Sequence, residues 1–130
     1  MTENDRFLGA RRKAEKRGRR SEFWAALFLA AKFYRILGWR VRTPLGEIDL
    51  VARAPDGTVC FIEVKARSDA LGAAQSVGPR QQQRIARAAK HFLARHPALG
   101  AKGARFDVIA MTPGGWPRHY RDAWRDESFR

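Results

Sequence analysis

The sequence predicts an α/β fold in the order helix, three strands, helix, strand. Three observations carry that prediction. Apolar residues recur at helical spacing between Phe23 and Leu37. Two segments of strict alternation flank Ala54-Pro55-Asp56-Gly57-Thr58, where Pro fixes φ and Gly permits positive φ, as a tight hairpin turn requires. A second helical period and a last alternating run, Phe106 to Met111, follow. The 130 residues suffice for one modest core, and the 45% apolar content excludes a wholly disordered polycation.

The first helix is expected from about Arg17 to Leu37, on Phe23, Leu27, Phe28, Ala31, Tyr34 and Leu37, with Gly38 as its C-terminal cap. Its middle is apolar nearly all round, so it should be covered on more than one side, with Trp24 and Trp39 in the core. A short strand, Trp39 to Thr43, ends at Pro44. Glu47 to Arg53 places Ile48, Leu50 and Ala52 on one face and Glu47, Asp49 and Val51 on the other. Val59 to Ala66 places Cys60, Ile62 and Val64 against Val59, Phe61, Glu63 and Lys65. Arg67 to Ser76 has no clear period and reads as a loop. Gly78-Pro79 opens the second helix, with Pro suited to its first position, and Pro97 ends it near His96. Ile85, Ala88, Ala89 and Phe92 form its apolar face, and Arg80, Arg84, Arg87 and His91 a basic one. The C-terminal stretch, rich in Trp, Arg and Asp, has no determined structure in this reading. There is no internal repeat.

Lys and Arg outnumber Asp and Glu 26 to 13, a net charge of +13 that favours a polyanionic partner. Residues 1–20 carry +5 of it and the body +8. Residues 1–16 read as a basic arm, and disorder suits such a segment. Cys60, the one cysteine, excludes an intramolecular disulfide and a thiolate zinc cluster and fits a reducing, cytoplasmic setting. His91, His96 and His119 lack zinc-ligand spacing. No apolar run approaches ~18 residues, so no membrane partner is expected. The basic stretch before Phe23–Ala31 has the outline of an export signal, but Glu22, Lys32 and Arg35 border the run and the pattern continues as an amphipathic helix.

One constellation can do chemistry. A hairpin symmetric about Asp56 pairs Asp49 with Glu63, their Cβ atoms ~5 Å apart on one face. Lys65 adds an ammonium roughly 6.6 Å further along. Opposed carboxylates repel, and a hard divalent cation between them relieves this, since Mg²⁺ takes one or two carboxylates and completes its shell with water and phosphate. An E-x-K pair alone is commonly an exposed strand pair. Here Val51, Val59 and Phe61 on the same face need cover, so the trio sits at the rim of a buried sheet.

Gly46-Glu47-Ile48-Asp49-Leu50-Val51-Ala52 followed by Phe61-Ile62-Glu63-Val64-Lys65-Ala66-Arg67 resembles the bacterial YraN family of predicted endonucleases. That family is similar to archaeal Holliday junction resolvases and carries the PD-(D/E)XK nuclease motif. The resemblance covers roughly residues 18 to 111, with Glu22, Gly38, Val77, Gln82 and Arg105-Phe106-Asp107-Val108 also in place. It implies a restriction-endonuclease-like mixed β-sheet flanked by helices, within a single nuclease-like domain over residues 17–130. It further implies that Asp49 and Glu63, with the Val64 carbonyl, hold Mg²⁺ or Mn²⁺. Lys65 would orient the attacking water, Glu22 would reach the metal from the first helix, and Gln82 would give polar support. Two departures stand out: Ile48-Asp49 replaces Pro-Asp, and Gln81 stands where many relatives have a lysine.

The expectation is therefore metal-dependent hydrolysis of DNA phosphodiesters, with branched or otherwise structured DNA suggested by kinship. Arg80, Arg84, Arg87 and Arg67 would contact the backbone. Related resolvases act as homodimers, although no feature of this sequence marks a dimer surface. Two alternatives stay open: a non-catalytic nucleic-acid-binding protein that keeps the fold, and a basic protein–protein adaptor.

Overall fold

The computed structural model describes residues 20–66, 72 and 76–129. Five strands form one sheet in the spatial order β1 (Arg35–Thr43), β2 (Gly46–Arg53), β3 (Val59–Ala66), β4 (Ala104–Met111) and β5 (Arg118–Trp124). Helix α1 includes residues 20–31, and α2 spans Pro79–Arg95. Strands β1, β2 and β3 form an antiparallel meander, β3 and β4 run parallel, and β4 and β5 are antiparallel. Parallel neighbours need a long crossover, and α2 lies within it. The mixed α/β architecture and the element order match the expectation. Strand β5 is an addition, drawn from the stretch whose sequence shows no alternation. The expected arm over residues 1–16 lies outside the described residues.

Helix α1 is shorter than its apolar spacing suggests. Tyr34 N bonds Leu29 O and Phe33 N bonds Ala30 O, both at 3.0 Å. Phe33 stands at φ +67°. This is a Schellman close with a phenylalanine where glycine is usual. Released there, Arg35 to Leu37 join β1. Gly38 therefore caps nothing and sits in the strand beside an irregularity of register. A Cβ on it would lie 2.6 Å from Val41 Cγ2, so this crossing tolerates only glycine without a shift.

Each sheet face has its own core. Val51, Val59, Phe61, Phe106 and Val108 pack against Ile85, Ala88, Ala89 and Phe92 of α2. Leu50, Ala52, Cys60, Ile62 and Ile109 pack against Ala25, Ala26 and Leu29 of α1. Ile48, expected with Leu50 and Ala52, packs instead with the α2-side cluster. The physical reason is a break in alternation. Arg40 adopts φ +48°, and the β1–β2 ladder passes from Trp39–Leu50 to Val41–Ile48 without it. No residue is gained or lost there, and the face changes on both strands together: Leu50 packs on the α1 side, Val41 and Ile48 on the α2 side. The expected all-round cover of α1 is also corrected. Phe23, Trp24 and Leu27 remain about half exposed, as does Trp39, because the sheet offers α1 only one face.

Cys60 is fully buried in the α1-side core. Burial, reinforced by the Asp107 charge, pushes its thiol up to about 12.

Asp107 of β4 is a buried carboxylate with a full set of donors. Arg105 Nε and Nη2 reach it at 3.0 and 3.1 Å, His119 Nε2 at 2.7 Å and Asp122 N at 2.9 Å. Lys32 Nζ meets His119 Nδ1 at 3.0 Å. An ammonium has only donors to offer, so Nδ1 accepts and the ring's Nε2–H points at Asp107. Burial alone would raise the Asp107 carboxyl, but the bonds from His119 and Arg105 outweigh it and hold the group below its ordinary value. The network ties α1, β4 and β5 together. Replacing Asp107 with Ala orphans these donors, and removing one member of a buried ion pair costs about 3–5 kcal/mol. Urea unfolding of Asp107→Ala should show a loss of that size; an unchanged midpoint would mean the network contributes nothing.

Candidate metal and phosphate site

The hairpin register is the one its turn implies. Leu50 faces Ile62, Val51 faces Phe61, Ala52 faces Cys60 and Arg53 faces Val59. The turn is closed by Ala54 N to Thr58 O at 2.9 Å and by Asp56 Oδ1 accepting from Thr58 N at 2.9 Å. The next step along this ladder would be Asp49 opposite Glu63, and there the ladder stops. Asp49 Oδ2 accepts the backbone N–H of Val64 at 2.9 Å. A side chain has taken the place of a backbone carbonyl, so the strands part and the Asp49 carboxylate is fixed between them.

Asp49 and Glu63 lie within hydrogen-bonding reach of each other. Burial first, then the bond and charge of Asp49, push the Glu63 carboxyl up to about 9, against a partial offset from Lys65. Lys65 Nζ donates to Gln81 Oε1 at 3.3 Å, which ties the amine to the first turn of α2. The acids open into a pocket of about 310 Å³ lined by Gly46, Glu47, Asp49, Glu63, Gln81 and Arg84. Gly46 brings the β1–β2 turn against the helix, since a Cβ there would lie 3.2 Å from the Arg84 carbonyl oxygen. Thr43 stiffens that turn, accepting from Leu45 N and Gly46 N at 3.1 Å and donating to Gly46 O at 2.8 Å.

Glu22, which is 6% exposed, is clamped by Arg40, whose Nε donates to Oε2 at 2.6 Å and Nη2 to Oε1 at 3.4 Å. Glu22 acts on Glu63 only as the weakest of its electrostatic influences. The structure thus brings together Asp49, Glu63 and Lys65, with Arg84 at the wall and Glu22 behind Arg40. It does not bring Gln82 there. Gln82 Nε2 donates to Val77 O at 2.8 Å and lines a separate cavity beside His119 and Trp124. One helical position turns a side chain by about 100°, and Gln81 holds the place expected of Gln82. Val64 contributes its N–H to Asp49. Arg80 and Arg87 stand exposed on α2, and Arg67 lies outside the described residues. Arg40 is the residue the sequence reading missed. Reading Pro44-Leu45 as a two-residue hairpin turn places Arg40 opposite Asp49 and would have found it.

Among the described residues no group of three or more His, Cys, Asp and Glu converges. Among these residues Asp49 and Glu63 do come together in one pocket, with Lys65 acting on Glu63. That donor set fits Mg²⁺ or Mn²⁺, hard cations that accept one or two carboxylates and keep water and phosphate in the other positions. No helix among the described residues is long and apolar enough to cross a membrane.

The model of the uncharacterised protein family UPF0102 matches residues 21–111. The chain belongs to the UPF0102 family. It is similar to a UPF0102 protein of Agrobacterium fabrum, 50% identical over 114 residues, covering 88% of this chain and 93% of that protein. A UPF0102 protein of Maricaulis maris is 50% identical over 115 residues, covering 88% and 90%. One from Rhizobium etli is 48% identical over 124 residues, covering 95% of this chain and all of the relative. This membership agrees with the YraN resemblance of the hairpin motifs. The stretch matched to UPF0102 contains Glu22, Arg40, Asp49, Glu63, Lys65, Gln81 and Arg84 and ends with β4.

The raised carboxyl of this UPF0102 protein gives a signed expectation. The folded chain keeps a proton on Glu63 up to about 9, which the unfolded chain releases near 4.5. The stability this group contributes is complete below the lower value and is lost as pH rises through the window. In chelator, Tm should therefore fall as pH climbs across that window, and Glu63→Gln should remove much of the slope. An identical slope in the variant would show that the two carboxyls do not share a proton.

Proposed function

We propose that this UPF0102 protein is a metal-dependent nuclease of the PD-(D/E)XK type, distantly like archaeal Holliday junction resolvases, that hydrolyses phosphodiester bonds in DNA. The observation that carries the reading is the contact of Asp49 with Glu63 across the opened ladder, with Lys65 alongside. Asp49 and Glu63 would hold Mg²⁺ or Mn²⁺, and the Val64 carbonyl would add a ligand. When bound, the ion supplies an acidified water and neutralises charge on the scissile phosphate.

The chain's own residues supply the rest. Lys65 donates to a phosphate oxygen or to the attacking water, and its charge stabilises the negative charge that grows in the transition state. Gln81 keeps the amine in place. Arg84 at the pocket wall grips a flanking phosphate, and Arg80 and Arg87 continue the cationic track. Arg40 neutralises Glu22 and so limits the negative charge facing an incoming polyanion. The net charge of +13 and the exposed arginines of α2 favour a second reading, a nucleic-acid-binding protein without turnover. Branched DNA is the structured substrate most in keeping with the proposed kinship.

Calorimetry should show Mn²⁺ binding to the wild type and none to Asp49→Ala with Glu63→Ala. Cleavage of supercoiled, single-stranded and four-way-junction DNA in Mn²⁺ should fall by a factor of ~100 or more in Lys65→Ala. Gln82→Ala should cleave at the wild-type rate. Equal titrations in the two proteins, or cleavage that survives loss of Lys65, would sink the metal-site reading. Steeply salt-dependent binding with no cleavage would select the second reading. In Arg84→Ala, the slope of log affinity against log salt should shrink by ~1.

A further inference from the structure

The outer face of α1 and the edge strand β1 carry a cluster of rings for which the fold has no use. Phe23 is 48% exposed, Trp24 58% and Trp39 42%, with Leu27 beside them at 46%. Phe23 meets Trp24 edge-on with centroids 5.7 Å apart and Trp39 at 6.2 Å. Scattered exposed apolar residues are ordinary, but rings gathered in contact and left in water signal an interaction surface. Charge identifies the kind of partner. Arg20 is exposed one helical turn from Trp24, and the exposed Arg42, loosely paired with Glu47 at 3.7 Å, lies three positions from Trp39. Rings interleaved with guanidinium groups on a chain of +13 match a polyanion that also has flat faces to stack.

We propose that Phe23, Trp24 and Trp39 form a stacking platform for unpaired bases of a single-stranded nucleic acid. The inference rests on the nucleic-acid part of the reading above and names within it the strandedness of the substrate. Paired bases in a duplex hide their faces, whereas splayed bases offer them to aromatic rings. The platform adjoins the acid site through its neighbours in the chain. Glu22 precedes Phe23, Arg40 follows Trp39, and these two are clamped together, with Arg40 also feeling the charges of Glu47 and Asp49. A strand stacked on the rings would pass its backbone over Arg40 toward the two acids.

The test uses the full chain in chelator, so that no cleavage intervenes, and reads anisotropy of labelled oligo-dT and of a duplex of equal length. Oligo-dT should bind tighter than the duplex and quench tryptophan emission. Trp24→Ala should weaken oligo-dT about tenfold, from the stacking of one base, with duplex affinity unchanged. Trp24→Phe, which keeps a ring, should recover most of the loss. Wild-type affinity of Trp24→Ala for oligo-dT overturns the platform. So does light scattering that shows a wild-type dimer made monomeric by Trp24→Ala with oligo-dT affinity intact, which assigns the patch to a second copy. The two readings fail separately. Lost stacking in a protein that never cleaves with Mn²⁺ would spare the platform and reject the nuclease. Cleavage that needs Lys65, with Trp24→Ala binding normally, would do the reverse.

Discussion

The bond from Val64 N–H to the carboxylate of Asp49 sets up the candidate site. Backbone donors inside a sheet must be satisfied, and at this level the usual carbonyl partner is replaced by a side chain. The replacement spreads β2 from β3, locks the Asp49 rotamer and holds the carboxylate beside Glu63. On the other flank of β2, the left-handed Arg40 takes β1 out of the ladder at the same level and carries its guanidinium to Glu22. Both departures from regular pairing fall beside Asp49. The meander is regular on either side and irregular where chemistry is proposed.

The two buried acidic centres show how differently a fold can treat a carboxylate. Asp107 receives Arg105, His119 and a backbone N–H, so its charge is satisfied within the protein. Among the described residues, Asp49 accepts the Val64 N–H and Glu63 has only a partial offset from Lys65. Burial acts against ionisation in both places. In the first it is overcome by donors, and in the second it leaves a carboxyl that keeps its proton until something more strongly positive arrives. The first centre is a joint between elements, whereas the second is where we propose that a cation binds.

Much of this was legible in the sequence because local rules governed it. Pro55-Asp56-Gly57 dictated the turn, the turn dictated the register, and the register brought Asp49 near Glu63. Alternation assigned most of both sheet faces, and Gly78-Pro79 with Pro97 bounded α2. Alternation failed where a non-glycine residue took a left-handed conformation, which composition does not signal. Phe33 closed α1 early, and the left-handed Arg40 stands at the level where Ile48 turns to the opposite core. The choice between Gln81 and Gln82 depended on helix phase relative to the sheet, a tertiary quantity. Strand β5 hid because its inward positions include His119, a polar residue paired with Asp107 rather than an apolar one in a simple alternation.

The burial of Cys60 has a practical side. Its thiol lies wholly within the α1-side core and holds its proton up to about 12, and thiolate is the form that alkylating reagents attack. The native sulfhydryl is thereby masked under folding conditions. A cysteine engineered on the solvent face of α2 would take a maleimide dye or spin label alone, with no need to delete the natural one. A pair of such cysteines would report distances without a cysteine-free background.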